Sequence, residues 1–311
     1  MNLPEALIVV RFALYLDLML LFGVPLFALY SMPSNRIESG EIAFPVASLA
    51  LSVAGTVLSI FGVLVLTAIM SDVKLSELDR ESVSGLLNGT AIGTACKVRI
   101  ATLLGAALLS LLPTARRRLR WALQSGAGAV ALASLAWTGH GAADEGARGL
   151  IHLTADIVHL FAAGVWVGAL AGLLLLLGQT CSAGSDRTGR VALAHRALAE
   201  FATAGTLAVA LIVATGLVNS WFLIGFANIG SLASSQYGRL ILLKLIVFAG
   251  MIGLAGLNRF KLTPAIASRG GALANDALRS IRRSVAVEAS LAVIVLGLVA
   301  SLGTLAPPAS S

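Results

Sequence analysis

Residues 150–179 read LIHLTADIVHLFAAGVWVGALAGLLLLLGQ. At 1.5 Å per residue this stretch forms a helix about 45 Å long, which is enough to cross a bilayer. It nevertheless begins with His152, Asp156 and His159, ionisable groups that cost free energy in hydrocarbon. These side chains need protein or water around them, so the stretch predicts a central helix of a membrane bundle.

The polar residues of this helix share one face with a tryptophan. At about 100° per residue the members of the face fall within roughly 80° of one another: His152, Asp156, His159, Ala163 and Trp166. Three glycines repeat every four residues on nearly the opposite side: Gly164, Gly168 and Gly172. Because small residues allow close helix approach, we expect the glycine face to pack on another helix. The polar face is then expected to line a cavity within the protein.

The whole chain has the composition of a membrane protein. Of its 311 residues 58% are hydrophobic and 12% are charged, and the mean hydropathy is +0.92, which excludes an ordinary soluble domain. We predict an all-α fold, a polytopic helical bundle forming a single membrane domain over residues 1–311. About eight transmembrane helices are expected, at 6–30, 43–70, 92–112, 119–139, 150–178, 197–224, 239–259 and 284–304.

The basic residues indicate the orientation of these helices. Loops after odd-numbered spans hold fourteen lysines and arginines, and loops after even-numbered spans hold four. By the positive-inside rule the odd loops are cytoplasmic, and both termini are periplasmic. Since the net charge of +7 is explained by these loops, we expect contact with membrane lipid and none with nucleic acid.

Metal binding is one interpretation of the polar face. His152 and His159 are about 10.5 Å apart along the axis, too far to share an ion bound at about 2 Å. They are either successive positions along one path or parts of two separate sites. Asp156 is close enough to share an ion with either histidine. Imidazole, thioether and thiol groups suit copper by softness. Further candidates in the same outer half of the bundle are His140, Met70 and Cys96.

Depth along the spans predicts partners for the remaining intramembrane charges. Three ion pairs are expected: Asp17 with Arg99, Asp156 with Lys244, and Glu288 with Arg259. Apart from the Glu288 layer the inner half is almost purely apolar. No phosphate-binding loop or serine nucleophile elbow is found, so we do not expect an enzyme.

Several stretches resemble the copper resistance protein D (CopD) family of bacterial inner-membrane proteins. They are VVRFALYLDLMLLFG at 9–23, GHGAAD at 139–144, DIVHLFAAGVWVGAL at 156–170, TGLVNSW at 215–221, YGRLILLKLIVF at 237–248, LNRFKLTP at 257–264 and RRSVAVEASLAVIVLGLVASLGTLAPP at 282–308. The resemblance implies a role in copper homeostasis and resistance, with copper, Cu(I) or Cu(II), taken across the inner membrane. It also implies a periplasmic copper-binding partner of the CopC type.

The histidines of that family correspond to His140 and His159 here, and Trp166 and Gly168 also match. The usual Gly-Gly-Leu is changed to Gly-Ala-Leu at 168–170, and the histidine that family members often carry near Leu14 is absent. Two alternatives to copper transport stay open. One is a b-type haem protein that moves electrons, with His159 and Met251 as axial ligands. The other is a membrane scaffold that docks a periplasmic copper chaperone.

Overall fold

The fold is entirely helical in the part of the chain that the structure describes. A computed structural model describes residues 2–34, 37, 44–112, 116–139, 146–181, 187–225, 228, 230, 232–264 and 272–308. Its α-helices are α1 (Leu3–Ser31), α2 (Phe44–Met70), α3 (Arg80–Gly89), α4 (Ala91–Leu111), α5 (Arg117–Ala133), α6 (Gly146–Cys181), α7 (Arg187–Leu223), α8 (Gln236–Leu257) and α9 (Ala272–Leu302). Short 3₁₀-helices cover Leu75–Glu77 and Ser134–Thr138, and a π-helix covers Asn258–Leu262.

Seven helices among the described residues are long and apolar enough to cross a membrane: α1, α2, α4, α6, α7, α8 and α9. They match seven of the eight predicted spans, and the polytopic helical bundle is confirmed. The remaining predicted span, 119–139, forms the 17-residue α5 and the 3₁₀-helix that continues it. The α-helix is shorter than the predicted span because the chain changes from an α-helix to the narrower 3₁₀-helix after Ala133.

Contacts at its two ends show how far the α5 segment reaches. Arg118 at its start donates to Ser34 Oγ at 2.6 Å, just beyond the end of α1. Arg11, near the start of α1, donates to the backbone carbonyls of Thr138 and Gly303. The α5 segment therefore runs the length of α1 in the opposite direction. We call the two sides of the bundle the Arg11 end and the Arg118 end. The start of the first helix and the end of the last helix meet at the Arg11 end.

The glycine face of α6 lies directly on α1, as predicted. A Cβ atom at Gly168 would lie 2.2 Å from the carbonyl carbon of Gly23, and one at Gly172 would lie 2.3 Å from the ring of Phe27. Only glycine permits the first of these approaches, because the neighbouring atoms are backbone. Since α9 and α7 cover other sides of α6, this helix is the most buried of the seven.

A short amphipathic helix, α3, lies outside the spans between α2 and α4. Its N-cap, Asp79, accepts a hydrogen bond of 2.7 Å from the backbone N–H of Ser82. This bond lowers the pKa of the Asp79 carboxyl below its ordinary value. Leu86 of α3 packs against Val63 and Cys96, so α2, α3 and α4 form a cluster of their own.

Candidate functional site

The polar face of α6 lies against α7, which runs antiparallel to it. Three side-chain pairs form on successive turns, and we call them the α6–α7 ladder. His152 stacks on Phe222 with ring centroids 4.6 Å apart, Asp156 Oδ1 accepts from Asn219 Nδ2 at 3.4 Å, and His159 Nδ1 lies 2.9 Å from Thr215 Oγ1. The predicted polar face therefore packs directly on α7, where a cavity was expected, and its partners are the TGLVNSW segment and Phe222.

The hydrogen bonds around His159 define which of its nitrogens is protonated. The Thr215 hydroxyl donates its single proton to the carbonyl of Leu211 at 2.6 Å, in the helical i to i−4 pattern. With that donor direction Oγ1 accepts from His159, which assigns the imidazole proton to Nδ1. Nε2 keeps its lone pair in this arrangement, and the ring also lies within hydrogen-bonding reach of the Ile212 carbonyl. A ring held through one nitrogen with the other available is the usual arrangement of a metal-binding histidine.

Asp156 and Asn219 add oxygen atoms one turn nearer the Arg11 end. The Asn219 Oδ1 atom is buried and has no hydrogen-bond partner among the described residues. Asp156 Oδ2 lies close to the backbone at Gly139, where a Cβ would be 3.6 Å from it. Lys244 of α8 acts electrostatically on both Asp156 and His159. The predicted ion-pair contact between Lys244 and Asp156 is not formed in the described structure.

The other two histidine candidates differ in position. His140 directly follows Gly139 and lies outside the described residues. His152 is only 3% exposed and is covered by the ring of Phe222, which Arg148 approaches to 5.8 Å. His152 is thus part of the packed interface of α6 and α7, and it does not project from the Arg11 end.

The two sulfur candidates lie away from the ladder. Met70 ends α2 with 63% of its surface exposed, and Cys96 is fully buried with its thiol 3.9 Å from the carbonyl of Ser59. Among the described residues no group of three or more His, Cys, Asp and Glu is placed to hold a metal ion. His159 and Asp156 remain as the donors that the described ladder offers.

A second polar layer lies towards the Arg118 end. Trp166 Nε1 donates to Glu288 Oε1 at 2.6 Å, and Asn258 Nδ2 donates to Glu288 Oε2 at 3.2 Å. Arg259 instead bonds the carbonyl of Ala202 on α7, so the predicted Glu288–Arg259 pair is wrong. Sequence reasoning placed Trp166 on the polar face and Glu288 in a polar layer of the inner half, but it missed the hydrogen bond between them, although a tryptophan N–H in a span needs an acceptor.

The other predicted partners also differ from those observed. Asp17 Oδ2 and two nitrogens of Arg99 are buried without a hydrogen-bond partner in the described structure, so these two residues do not form the expected pair. Met251, the proposed second haem ligand, is buried in an apolar cluster with Trp166 and Leu170. It contributes to packing near the second polar layer.

These features define a class of protein: a multi-pass helical membrane protein with a histidine–carboxylate ladder packed between two antiparallel helices. Family models match most of the chain. "Copper resistance protein D-like, N-terminal domain" matches residues 1–150, and "Copper resistance protein D" matches residues 195–302. The chain belongs to the copper resistance protein D family.

Individual relatives agree with this assignment. Copper resistance protein D of Pseudomonas syringae pv. tomato is 41% identical over 303 residues, covering 96% of each chain. Copper transport protein CutJ of Bacillus subtilis is 32% identical over 41% of this chain and 22% of its own. Inner membrane protein YebZ of Escherichia coli is 31% identical over 42% of each chain. No solved structure matches the chain.

Proposed function

We propose that the protein takes up copper at the Arg11 end and passes it across the bacterial inner membrane through the α6–α7 ladder. Membership of the copper resistance protein D family supports a copper-related function at a membrane. The observation that carries the site is the imidazole of His159, which Thr215 orients on the polar face of α6 one turn from Asp156.

The ladder suggests a role for each of its residues. His159 supplies the deep imidazole ligand, and Asp156 supplies a carboxylate one turn nearer the Arg11 end. His140, which follows Gly139 in the sequence, is the capture ligand. His152 fixes the contact of α6 with α7 through its stacked ring. Nitrogen and oxygen donors without a thiolate favour Cu(II) over Cu(I).

The orientation follows from the charged ends of the bundle. The arginines that begin α5 lie at the Arg118 end, where Arg118 bonds Ser34. By the positive-inside rule this end is cytoplasmic and the Arg11 end is periplasmic. A periplasmic copper-binding protein of the CopC type would then deliver its copper at the Arg11 end. Binding and passage of the ion need no chemical turnover, so the proposal includes no enzymatic step.

Copper accumulation in cells tests this function. Cells that express the wild type, His159→Ala or His195→Ala at equal membrane levels are exposed to copper, and cell-associated copper is measured. His195 lies near the start of α7, outside the ladder, and serves as the matched histidine control. We expect His195→Ala to accumulate copper like the wild type, and His159→Ala to fall to the level of cells without the protein.

Two results would contradict the proposal. Equal accumulation by His159→Ala and the wild type would remove the ladder from the copper path. Normal copper resistance and normal binding of the periplasmic protein by the His159→Ala variant would favour the docking scaffold instead.

A further inference from the structure

A buried carboxyl group lies on the continuation of the ladder face. Trp166 follows His159 by seven residues, or about 10.5 Å along α6 towards the Arg118 end. Its indole N–H contacts Glu288, which is 1% exposed. The copper path proposed above does not use this carboxyl.

The hydrogen-bond donors of Glu288 are neutral. Trp166 and Asn258 donate to its two oxygens. The titratable groups on the helices around it in this half of the bundle are Tyr30 of α1, His195, Arg196 and Glu200 of α7, Arg259 and Lys261 of the π-helix, and Asp276, Arg279, Arg282 and Arg283 of α9. In the described structure none of them forms a hydrogen bond or an ion pair with Glu288.

Both protonation states of Glu288 find hydrogen-bond partners in this layer. The ionised carboxylate accepts from Trp166 and from the Asn258 amide N–H. A protonated carboxyl needs an acceptor, and Asn258 provides one, since its Oδ1 is buried and has no partner in the described structure. Turning the amide by 180° exchanges its donor for its acceptor. Asn258 is 8% exposed and begins a π-helix, an element often found at functional sites.

We propose that Glu288 is a proton-binding site of this protein. The carboxylate takes up one proton from water at the Arg118 end to become a neutral acid, and it returns that proton to the same water on release. The Asn258 amide rotates by 180° each time the Glu288 carboxyl gains or loses its proton. The hydrogen bond from Trp166 keeps the carboxyl on the face of α6.

This site would also influence the ladder, a consequence that rests on the proposed function. An ionised Glu288 attracts a copper ion at His159, and a protonated Glu288 does not. If the axial rise of about 10.5 Å between His159 and Trp166 is taken as the separation of the charges, and the effective dielectric constant as about 20, one unit charge changes the affinity by roughly tenfold, and the effect on a divalent ion is larger. Protonation from the Arg118 end would therefore promote release of copper from His159.

Infrared spectroscopy of the detergent-purified protein across a pH series tests the proton site. We expect a carboxylic acid C=O band that appears as the pH falls, is absent from Glu288→Gln and persists in Glu200→Gln, whose carboxyl is exposed. Trp166→Phe, which lacks the indole N–H, should shift the frequency of that band. Glu288→Gln should fold, because the Asn258 amide can turn to accept from the new amide. The absence of a pH-dependent band assigned to Glu288 would overturn the proposal.

Copper titration of the same samples tests the influence on the ladder. At a pH where the infrared spectrum shows Glu288 ionised, we expect Glu288→Gln to bind copper at least about tenfold more weakly than the wild type and Glu200→Gln. Equal affinities would overturn the influence on the ladder. A wild type that binds no copper would contradict the proposed function, and the infrared result would still decide whether Glu288 binds a proton.

Discussion

Replacing Gly168 by alanine tests the contact on which the bundle is built. The new Cβ atom would lie 2.2 Å from the carbonyl carbon and 2.3 Å from the Cα of Gly23, whereas ordinary contact begins near 3.4 Å. The α1 and α6 backbones must therefore separate by about 1.2 Å, because neither set of atoms can rotate away. Overpacking of this kind costs about 1–3 kcal/mol, and we expect the upper part of that range.

Thermal unfolding of the detergent-solubilised protein measures this cost. The control is Gly178→Ala on the same helix, where a Cβ atom would meet nothing within 4 Å. We expect Gly168→Ala to lower the unfolding midpoint by several degrees. The control should leave the midpoint unchanged or slightly higher, since alanine favours a helix. Equal midpoints for the two variants would refute the close packing of α1 on α6.

Three further predictions concern the site and the two ends of the bundle. Thr215→Val removes the acceptor that orients His159, so copper affinity should fall about 10–100-fold in a competition titration, while Thr215→Ser should keep it. Asp79→Ala should speed amide hydrogen exchange in the first turn of α3. The pKa of the Asp79 carboxyl is lowered in the folded protein, so its hydrogen bond to Ser82 is fully present above the ordinary carboxyl pKa. The bond is lost as the pH falls through the lowered pKa, and hydrogen exchange measured at acidic pH checks this loss. Arg11→Met should speed exchange at 134–139 and 303–305, and Arg259→Met should not.

Much of the fold was predictable from residue type and spacing. The bilayer sets the length of a spanning helix, and hydropathy located seven spans that the structure contains. The glycine repeat of α6 predicted a close helix neighbour, which is α1. The span at 119–139 was harder to bound, because α5 begins among arginines and ends in a 3₁₀-helix.

The partners of buried polar groups were predicted less well. Position in a span gives the depth of a side chain, but it does not give the direction in which that side chain points around its helix axis. Glu288 and Arg259 were matched by depth alone, yet Arg259 points to α7 and Glu288 points to α6. Asp17 and Arg99 were matched in the same way and remain apart.

The candidate site was also predicted within one helix better than between helices. The α6 face was predictable because its residues share one helix and a known period. Its partners on α7 depend on how two helices align, which spacing within one helix cannot give. Met70 and Cys96 were chosen for softness and depth, and the structure places them on the surface of α2 and in the cluster of α2, α3 and α4.

Copper content and visible absorption of the detergent-purified protein, after copper loading and removal of excess ion, test the central claim most directly. We predict that the wild type and His195→Ala retain copper without a haem Soret band, and that His159→Ala loses it. Copper retained equally by His159→Ala would contradict the assignment of the ladder as the copper site. A Soret band that disappears in that variant would assign His159 to haem instead.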